Sequence, residues 1–326
     1  MPNSFPYNVQ EHQRRFVEVA VFKKAQKKLD LPGSFLLVCA VLSFTACFME
    51  AGLQFSWDSA YVITLLIASV GLWVAVLLWE RRISRANQAR EPVLPWQFFT
   101  NRVMVSVILG MALVGAPMTV TTFQLPQRFQ LVNGLSSLDA GLRLLPFGAM
   151  FPIGSMVATT VASKFKIPAI YLVFLGSVLQ VVGYALLSTL TTSVQVESAV
   201  YGYLIMCGFG CGMTFTMLYI TVPFTVDKCD KAVGMAAANQ FRTMGSAMGL
   251  AIATSIFNDY LAARFSGIAI IDVVDGKQMF PEAFQEEARI VLSEAYNRQM
   301  LVLCAFSSAQ ILTTLLMWRK DQVITA

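Results

Sequence analysis

The chain has 326 residues, of which 56% are hydrophobic and 13% are charged, and its mean hydropathy is +0.62. This composition lies far from that of a water-soluble globular domain and indicates a protein that resides in a lipid bilayer. The net charge of +5 is not concentrated on a soluble domain, which excludes nucleic acid as a partner.

Long apolar stretches follow one another along most of the chain. A helix of about 20 apolar residues crosses about 30 Å of hydrocarbon, and stretches of this length form helices and not barrel strands, because their backbone polar groups must be satisfied inside the bilayer. The sequence therefore predicts an all-α membrane protein with eight transmembrane helices. The predicted spans are 33–53, 60–79, 103–123, 141–162, 167–187, 199–221, 233–257 and 299–318.

Lysine and arginine residues are distributed unevenly between the two sides that these spans define. The basic residues of one side fall in the segments 14–28, 81–102, 164–166, 228–231 and 319–320. The other side has Arg128 and a few basic residues in the loop 258–298, where acidic residues accompany them. Because positive charge favours the cytoplasmic side, we expect both termini in the cytoplasm and the loop 258–298 outside.

No motif in the sequence indicates chemical catalysis. The six cysteines include no CxxC pair, and His12 is the only histidine, so the ligand set of a zinc site is missing. The glycine-rich stretch GFGCG lacks the GxGxxG spacing of a nucleotide loop and lies inside an apolar span. We therefore predict no enzymatic activity, no catalytic residues, no cofactor and no metal.

Two pairs of glycines have the spacing that allows helices to approach closely. Gly208 and Gly212 are four residues apart in the sixth predicted span, and Gly245 and Gly249 have the same spacing in the seventh. In a membrane such GxxxG pairs let the backbones of two helices touch. We predict that these four glycines are helix-packing residues.

Polar residues interrupt the seventh predicted span at Asn239, Gln240 and Arg242. At about 100° per residue, Asn239 and Arg242 share a helix face with the small residues Ser246 and Gly249. A guanidinium in lipid costs from about 3 to more than 10 kcal/mol, so we expect Arg242 to face a cavity or a close helix contact. The alternative is that its long side chain extends to the cytoplasmic surface.

Three further polar residues inside the predicted spans are candidates for a transport pathway. Gln180 lies near the centre of the fifth span and is a candidate to line a cavity. Arg143 either contributes to the pathway or forms an ion pair with Asp139, one helical turn earlier. Glu50, the acid that lies well within a span, is either a proton carrier or a solvated helix end.

Longer stretches of the sequence resemble a known family. LPQRFQLVNGLSSLDAGLRLLPFGAMFPIGSM (125–156) and GFGCGMTFTMLYITVPFTVDKCDKAVGMAAANQFRTMGSAMGLAIATSIF (208–257) are similar to the second half of the fourteen-spanner drug:proton antiporters of the major facilitator superfamily. KLDLPGSFLL, followed by FSWDSAYVITLL, resembles the two extra helices that this family inserts between its halves. The likeness extends from about Lys28 to Lys320 and is greatest to fungal toxin and secondary-metabolite exporters.

The resemblance implies a division of the chain into five parts. Two linker transmembrane helices occupy 31–80, a cytoplasmic loop follows at 81–101, and a six-helix C-terminal transporter bundle occupies 102–318. This bundle would contain two three-helix repeats of inverted topology, as transporters commonly do. A basic, amphipathic cytoplasmic segment (1–30) precedes the helices, and a cytoplasmic tail (319–326) follows them.

The resemblance also implies a function. It predicts export of a small, largely apolar organic compound by proton antiport, across the plasma membrane, with protons and the lipid bilayer as further partners. The sequence departs from the family at Arg128, which replaces an aromatic residue, and lacks a counterpart of the first six helices with their gating motifs. We therefore expect the chain to need a missing N-terminal transporter half. The alternative is a truncated, transport-incompetent membrane remnant or an accessory subunit.

Overall fold

The computed structural model describes residues 30–51, 55–86, 92–193, 195–264 and 282–319. Apart from Asp30 and Arg319, the predicted cytoplasmic segment 1–30 and tail 319–326 lie outside the described residues. The described residues form nine helices. They are α1 (Leu31–Glu50), α2 (Ala60–Ala86), α3 (Gln97–Thr100), α4 (Arg102–Leu131), α5 (Ser137–Phe165), α6 (Ala169–Leu187), α7 (Ala199–Thr225), α8 (Lys231–Arg264) and α9 (Glu282–Leu316).

Seven of the helices in the described ranges are long and apolar enough to cross a membrane, namely α1, α2, α4, α5, α6, α7 and α9. This confirms the prediction of an all-α, multi-pass membrane protein. The remaining predicted span, 233–257, lies within α8, which has 34 residues. Polar residues such as Asn239, Gln240 and Arg242 lower the hydropathy of α8, so its place as an eighth span stays a prediction.

Polar side chains fix the start of several helices. Asp30, Asn101 and Ser136 precede α1, α4 and α5, and each side chain accepts a hydrogen bond of 3.1–3.2 Å from a backbone N–H of the first turn. Such caps satisfy donors that have no partner within the helix. At the other end of α5, Lys166 adopts a left-handed conformation with φ of 52°, which ends the helix.

The segment 258–298, predicted to be an outer loop, is helical in its two described parts, 258–264 and 282–298. Helix α8 continues to Arg264, and α9 already begins at Glu282. Ala288 and Ala295 are buried in the first half of α9, where α9 packs on α8. The apolar residues of 282–298 recur at helical spacing, so the helix continues into the predicted span 299–318.

Six helices form a bundle with a reciprocal pattern of contacts. Helix α4 lies along α8, α5 lies along α7, and α6 contacts α9. If α4–α6 and α7–α9 are taken as two units, the first helix of each unit pairs with the second helix of the other, and the third helices pair together. This is the pattern expected of two related three-helix repeats.

Glycines allow the backbones of α4 and α8 to touch. A Cβ atom added at Gly245 would overlap the carbonyl oxygen of Ala112, and one added at Gly249 would overlap the Cβ atom of Ala116. From the other side, a Cβ atom at Gly115 would overlap the carbonyl oxygen of Arg242. Each helix thus presents small residues to the other, and the contact extends over several turns.

The contact between α5 and α7 is built in the same way. Added Cβ atoms at Gly208 and Gly212 would overlap the carbonyl oxygens of Phe147 and Phe151, respectively. Gly154 of α5 lies equally close to the backbone of α7. Both glycine pairs therefore lie at the closest helix contacts of the bundle.

Helices α1 and α2, which the resemblance predicts to be linker helices and which we call the linker pair, pack against each other, and α1 also packs against α8. Near one end, the Trp57 indole N–H donates to the Ser255 hydroxyl of α8 at 2.7 Å. Further along, the rings of Trp73 and Phe241 lie with centroids 5.6 Å apart. The linker pair is therefore attached to the side of the bundle formed by α8.

We expect Gly245→Leu to destabilise the bundle, because the new side chain forces α8 away from α4. Overpacking of this kind costs about 1–3 kcal/mol or more. The measurement is the thermal unfolding midpoint of the purified protein, together with the yield of monodisperse protein after solubilisation. Gly148→Leu is the matched control, since a Cβ atom there meets nothing within 4 Å. Equal losses in both variants would contradict the assignment.

Candidate functional site

Arg242 lies on the side of α8 that faces α7, and its guanidinium is held by two neighbours. Its Nε and Nη2 atoms donate to the Asn239 side-chain oxygen at 3.2 and 3.1 Å. Its guanidinium carbon lies over the Phe215 ring of α7, 5.8 Å from the centroid, which is a cation–π contact. The Arg242 side chain is half-buried and Asn239 is exposed. The charge is thus partly compensated at the edge of a helix contact.

Aromatic side chains continue this surface along α7 and onto α5. The Phe215 and Tyr219 rings are stacked with centroids 5.8 Å apart, and Phe151 of α5 contacts Phe215 at 5.7 Å. All three rings are half-buried. We call the surface formed by Arg242, Phe151, Phe215 and Tyr219 the aromatic–arginine face. It offers flat apolar surfaces beside one cation, which suits apolar organic molecules.

The three rings of this face were not among the candidates predicted from the sequence. Phe215 and Tyr219 are four residues apart, which places them on one side of a helix, but this spacing is also common in ordinary helix packing. Phe151 joins them only because α5 and α7 touch at Gly154 and Gly212. The signal for this contact lies in the tertiary structure and not in any one helix.

Gln240 lies on a different side of α8 from Arg242. It lines a cavity of about 240 Å³ between the linker helices and α8, together with Trp73, Phe241 and Leu94. The structure therefore brings Asn239 and Arg242 together and directs Gln240 towards the linker pair. The remaining candidates, Gln180, Arg143 and Glu50, lie elsewhere.

Gln180 is completely buried where α6 meets α7. Its side-chain nitrogen donates to the Thr214 hydroxyl at 2.9 Å, and Gly210 of α7 packs against its side chain. Gln180 does not line the cavities beside Asn101, Arg128 and Gln240. This geometry favours a role in joining two helices.

The ion pair with Asp139, one of the two alternatives for Arg143, is not formed. Arg143 donates instead to the Tyr201 hydroxyl of α7 at 2.6 Å. The Asp139 carboxylate accepts from the Ser136 hydroxyl at 2.7 Å, because both residues form the cap at the start of α5. Asp139 lies in the same helix as Arg143, whereas the observed partner, Tyr201, lies in the neighbouring helix α7.

Glu50 is the last residue of α1 and is half-buried. Its carbonyl oxygen accepts the Phe55 N–H at 3.2 Å. This position corresponds to a helix end. Three charged residues that are more deeply buried, Asp30, Glu80 and Arg128, were not among the predicted candidates.

Arg128 is 4% exposed and lies in the last turn of α4, whereas the sequence predicted a position at the outer surface. Its Nη2 atom donates to the Ser293 hydroxyl at 3.1 Å and to the Thr191 carbonyl oxygen at 3.4 Å. Among the described residues no carboxylate forms an ion pair with it. A buried guanidinium depends strongly on such neutral acceptors, and here they connect α4 to α9 and to the segment before α7.

Within the described ranges, no group of three or more histidine, cysteine or acidic side chains could hold a metal ion. Many buried polar side chains are instead used in bonds between helices. Ser246 donates to the Gly115 carbonyl oxygen at 3.0 Å, and Gln310 donates to the Gly110 carbonyl oxygen at 3.3 Å. The aromatic–arginine face, by contrast, is partly exposed.

The fold and this face define a multi-pass helical membrane protein with a paired three-helix architecture. The family model described as Major Facilitator Superfamily matches residues 33–250. The chain belongs to this superfamily.

Several curated relatives come from fungi. The MFS-type transporter FPY5 of Fusarium mangiferae is 30% identical over 98% of this chain and 54% of its own length. The MFS-type efflux pump elcC of Phaeosphaeria nodorum is 28% identical, over 76% of this chain and 43% of its own length. The dehydrocurvularin exporter of Aspergillus terreus is also 28% identical, over 75% and 42%. The chain spans about half the length of the curated relatives it matches.

A solved structure agrees with the fold. A bacterial homologue of the human lysosomal transporter Spinster, in an inward-facing and occupied conformation, superimposes with a TM-score of 0.57. The match covers 81% of this chain and 59% of that protein, at 16% sequence identity. This likeness concerns the fold alone.

We expect Ser293→Ala to lower the stability of the protein, because it removes the shorter of the two hydrogen bonds from the buried Arg128 guanidinium. A lost partner of a buried charged group costs about 1–3 kcal/mol. The thermal unfolding midpoint in detergent measures the effect. Ser163→Ala, at an exposed serine near the end of α5, is the control. An unchanged midpoint for Ser293→Ala would show that Arg128 is satisfied in another way.

Proposed function

We propose that this chain forms the second half of an exporter that moves small, largely apolar organic compounds out of the cell in exchange for protons. Membership in the Major Facilitator Superfamily, over residues 33–250, is the observation that carries the proposal. Relatives named as efflux pumps and exporters support the direction of transport and the class of substrate. We place the protein in the plasma membrane, where export removes a compound from the cell.

The fourteen-spanner arrangement is part of the proposal. In it, α1 and α2 are the two linker helices and α4–α9 are the last six spans. Helix α8 is then also a span, the seventh in chain order, which brings the total to eight. Transport by alternating access needs two bundles that move around a site between them. The half-length match to the relatives supports a role as one of the two.

The aromatic–arginine face is the proposed substrate surface of this half. Most other polar groups of the bundle interior bond to a neighbouring helix, whereas Arg242 and the three rings are half-buried. Rings contribute apolar contact without demanding one ligand geometry, and a cation near a ring attracts polar edges of a substrate. This combination favours a broad substrate range, with Arg242 setting orientation.

The half-length match also supports the alternative, a transport-incompetent remnant or an accessory subunit. The two functions differ in what happens when a first half is supplied. We therefore propose to express a fusion in which the N-terminal half of the Fusarium mangiferae relative precedes this chain. In yeast cells, the exporter hypothesis predicts reduced accumulation of an apolar fluorescent dye, and a protonophore restores the accumulation. A correctly inserted fusion without dye export would favour the remnant or accessory role.

In the active fusion, Arg242→Leu is expected to lower dye export about tenfold at equal abundance in the membrane. The change removes the cation–π contact and the charged hydrogen bonds to Asn239, which together are worth about 1.4 kcal/mol or more. Initial export rates, normalised to surface protein, measure the effect. Arg264→Leu is the matched control, because Arg264 is an exposed arginine at the C-terminal end of α8. Unchanged export by Arg242→Leu would support a side chain that merely extends to the membrane surface.

A further inference from the structure

Two acidic side chains are buried where the linker helices approach the segment that leads into α4. Asp30 is 1% exposed and Glu80 is 0% exposed. Asp30 precedes α1, and Glu80 lies in the last two turns of α2, so both are at the end predicted to be cytoplasmic. Among the described acidic residues, these two are the ones that are buried.

The two carboxylates have different partners. The Asp30 oxygens accept from the Gly33 backbone N–H at 3.2 Å and from the Trp79 indole N–H at 2.8 Å. One Glu80 oxygen, Oε1, accepts from the Leu94 backbone N–H at 3.1 Å. The other Glu80 oxygen, Oε2, is buried and has no hydrogen-bond partner. Asp30 is therefore fully engaged, whereas Glu80 has one free oxygen.

Among the described side chains, no positive charge pairs with Glu80. The same is true of Asp30. The segment 92–101 that packs on Glu80 has no charged residue. Arg81 and Arg82, its neighbours in α2, are exposed, and Arg81 lies over the Trp96 ring.

Asp30 accepts a hydrogen bond from Trp79, the residue before Glu80 in α2, so a second carboxylate lies beside this site. A buried carboxylate with one unpartnered oxygen and an acidic neighbour is stabilised by binding a proton. The free Oε2 atom provides the place for that proton. This arrangement fits a proton and not a metal ion, because the described residues bring no third acidic, histidine or cysteine side chain to the pair.

We propose that Glu80 is a proton-binding site that controls how firmly the linker helices hold the segment 92–101. A hydronium ion from the cytoplasm transfers its proton to Oε2, which leaves a water molecule and a neutral carboxyl group. The hydrogen bond from the Leu94 N–H to Oε1 then loses its charge assistance and weakens. Since this segment leads directly into α4, the protonation state of α2 is transmitted to the first helix of the bundle.

This proposal goes beyond the proposed function and does not depend on it. Proton binding at Glu80 concerns the linker pair and would hold in a protein that transports nothing. Glu80 also lies apart from the aromatic–arginine face, because α8 lies between that face and the linker helices. The test therefore uses direct readouts of the proton and of the Leu94 hydrogen bond.

The first readout is infrared spectroscopy of the 326-residue chain in lipid vesicles, titrated between about pH 5 and about pH 9, the range in which buried glutamates titrate. We expect a protonated-carboxyl stretching band that decreases as the pH rises. Glu80→Gln should remove this band. Asp58→Asn, which removes an exposed carboxylate at the opposite end of the linker pair, should leave it unchanged. A band that Glu80→Gln leaves in place would overturn the proposal.

The second readout is hydrogen exchange of the Leu94 amide, measured by mass spectrometry on peptides from 92–101 and corrected for the intrinsic pH dependence. The unmodified protein should lose protection at Leu94 severalfold on acidification. Glu80→Gln, which keeps an acceptor oxygen without the charge, should show the lower protection at every pH. Because the unmodified protein alone gives a titration, the test does not depend on folding of the variant. Protection that does not change with pH would contradict the proposed control of this segment.

Discussion

Direct contact between helix backbones, at α4–α8 and α5–α7, is the constraint on which the rest of the structure depends. Lipid is as apolar as the side chains, so close packing has to replace the hydrophobic effect as the force that joins helices. Gly245 and Gly212 provide that closeness. The same contacts bring Arg242 of α8 and Phe151 of α5 onto one surface with Phe215 of α7. The candidate site is thus a consequence of how the glycines are spaced.

The features that depend on one helix at a time could be predicted from the sequence. The apolar stretches and the glycine spacing are local features of the sequence. The polar residue Arg242 within the apolar stretch of α8 is local as well. Burial of Glu80 could not be predicted, because Leu94 reaches it only when the chain turns back after α2. Arg128 was missed for the same reason, since Ser293 is distant in the sequence. For Arg143, the sequence offered Asp139 of the same helix as one partner. In the structure its hydrogen bond goes to Tyr201 of the neighbouring helix α7.

Buried polar groups serve three separate purposes in this protein. Many of them join helices, as Gln180 does by donating to Thr214. Arg242 lies at an edge where its charge is partly exposed, which is compatible with contact to a second bundle and to a substrate. Glu80 has an oxygen without a partner and lies in the linker pair, away from that edge. In this account, substrate contact and proton binding therefore occupy different parts of the chain and communicate through α4 and α8.

The central claim is that this chain acts as one half of a proton-coupled exporter. The most direct measurement compares the purified chain with its fusion to a first half, each reconstituted in vesicles with an imposed pH gradient and an apolar dye. We predict gradient-driven dye movement by the fusion that a protonophore abolishes, and no movement above that of empty vesicles by the chain alone. Protonophore-sensitive dye movement by the chain alone, or none by a correctly inserted fusion, would contradict this account.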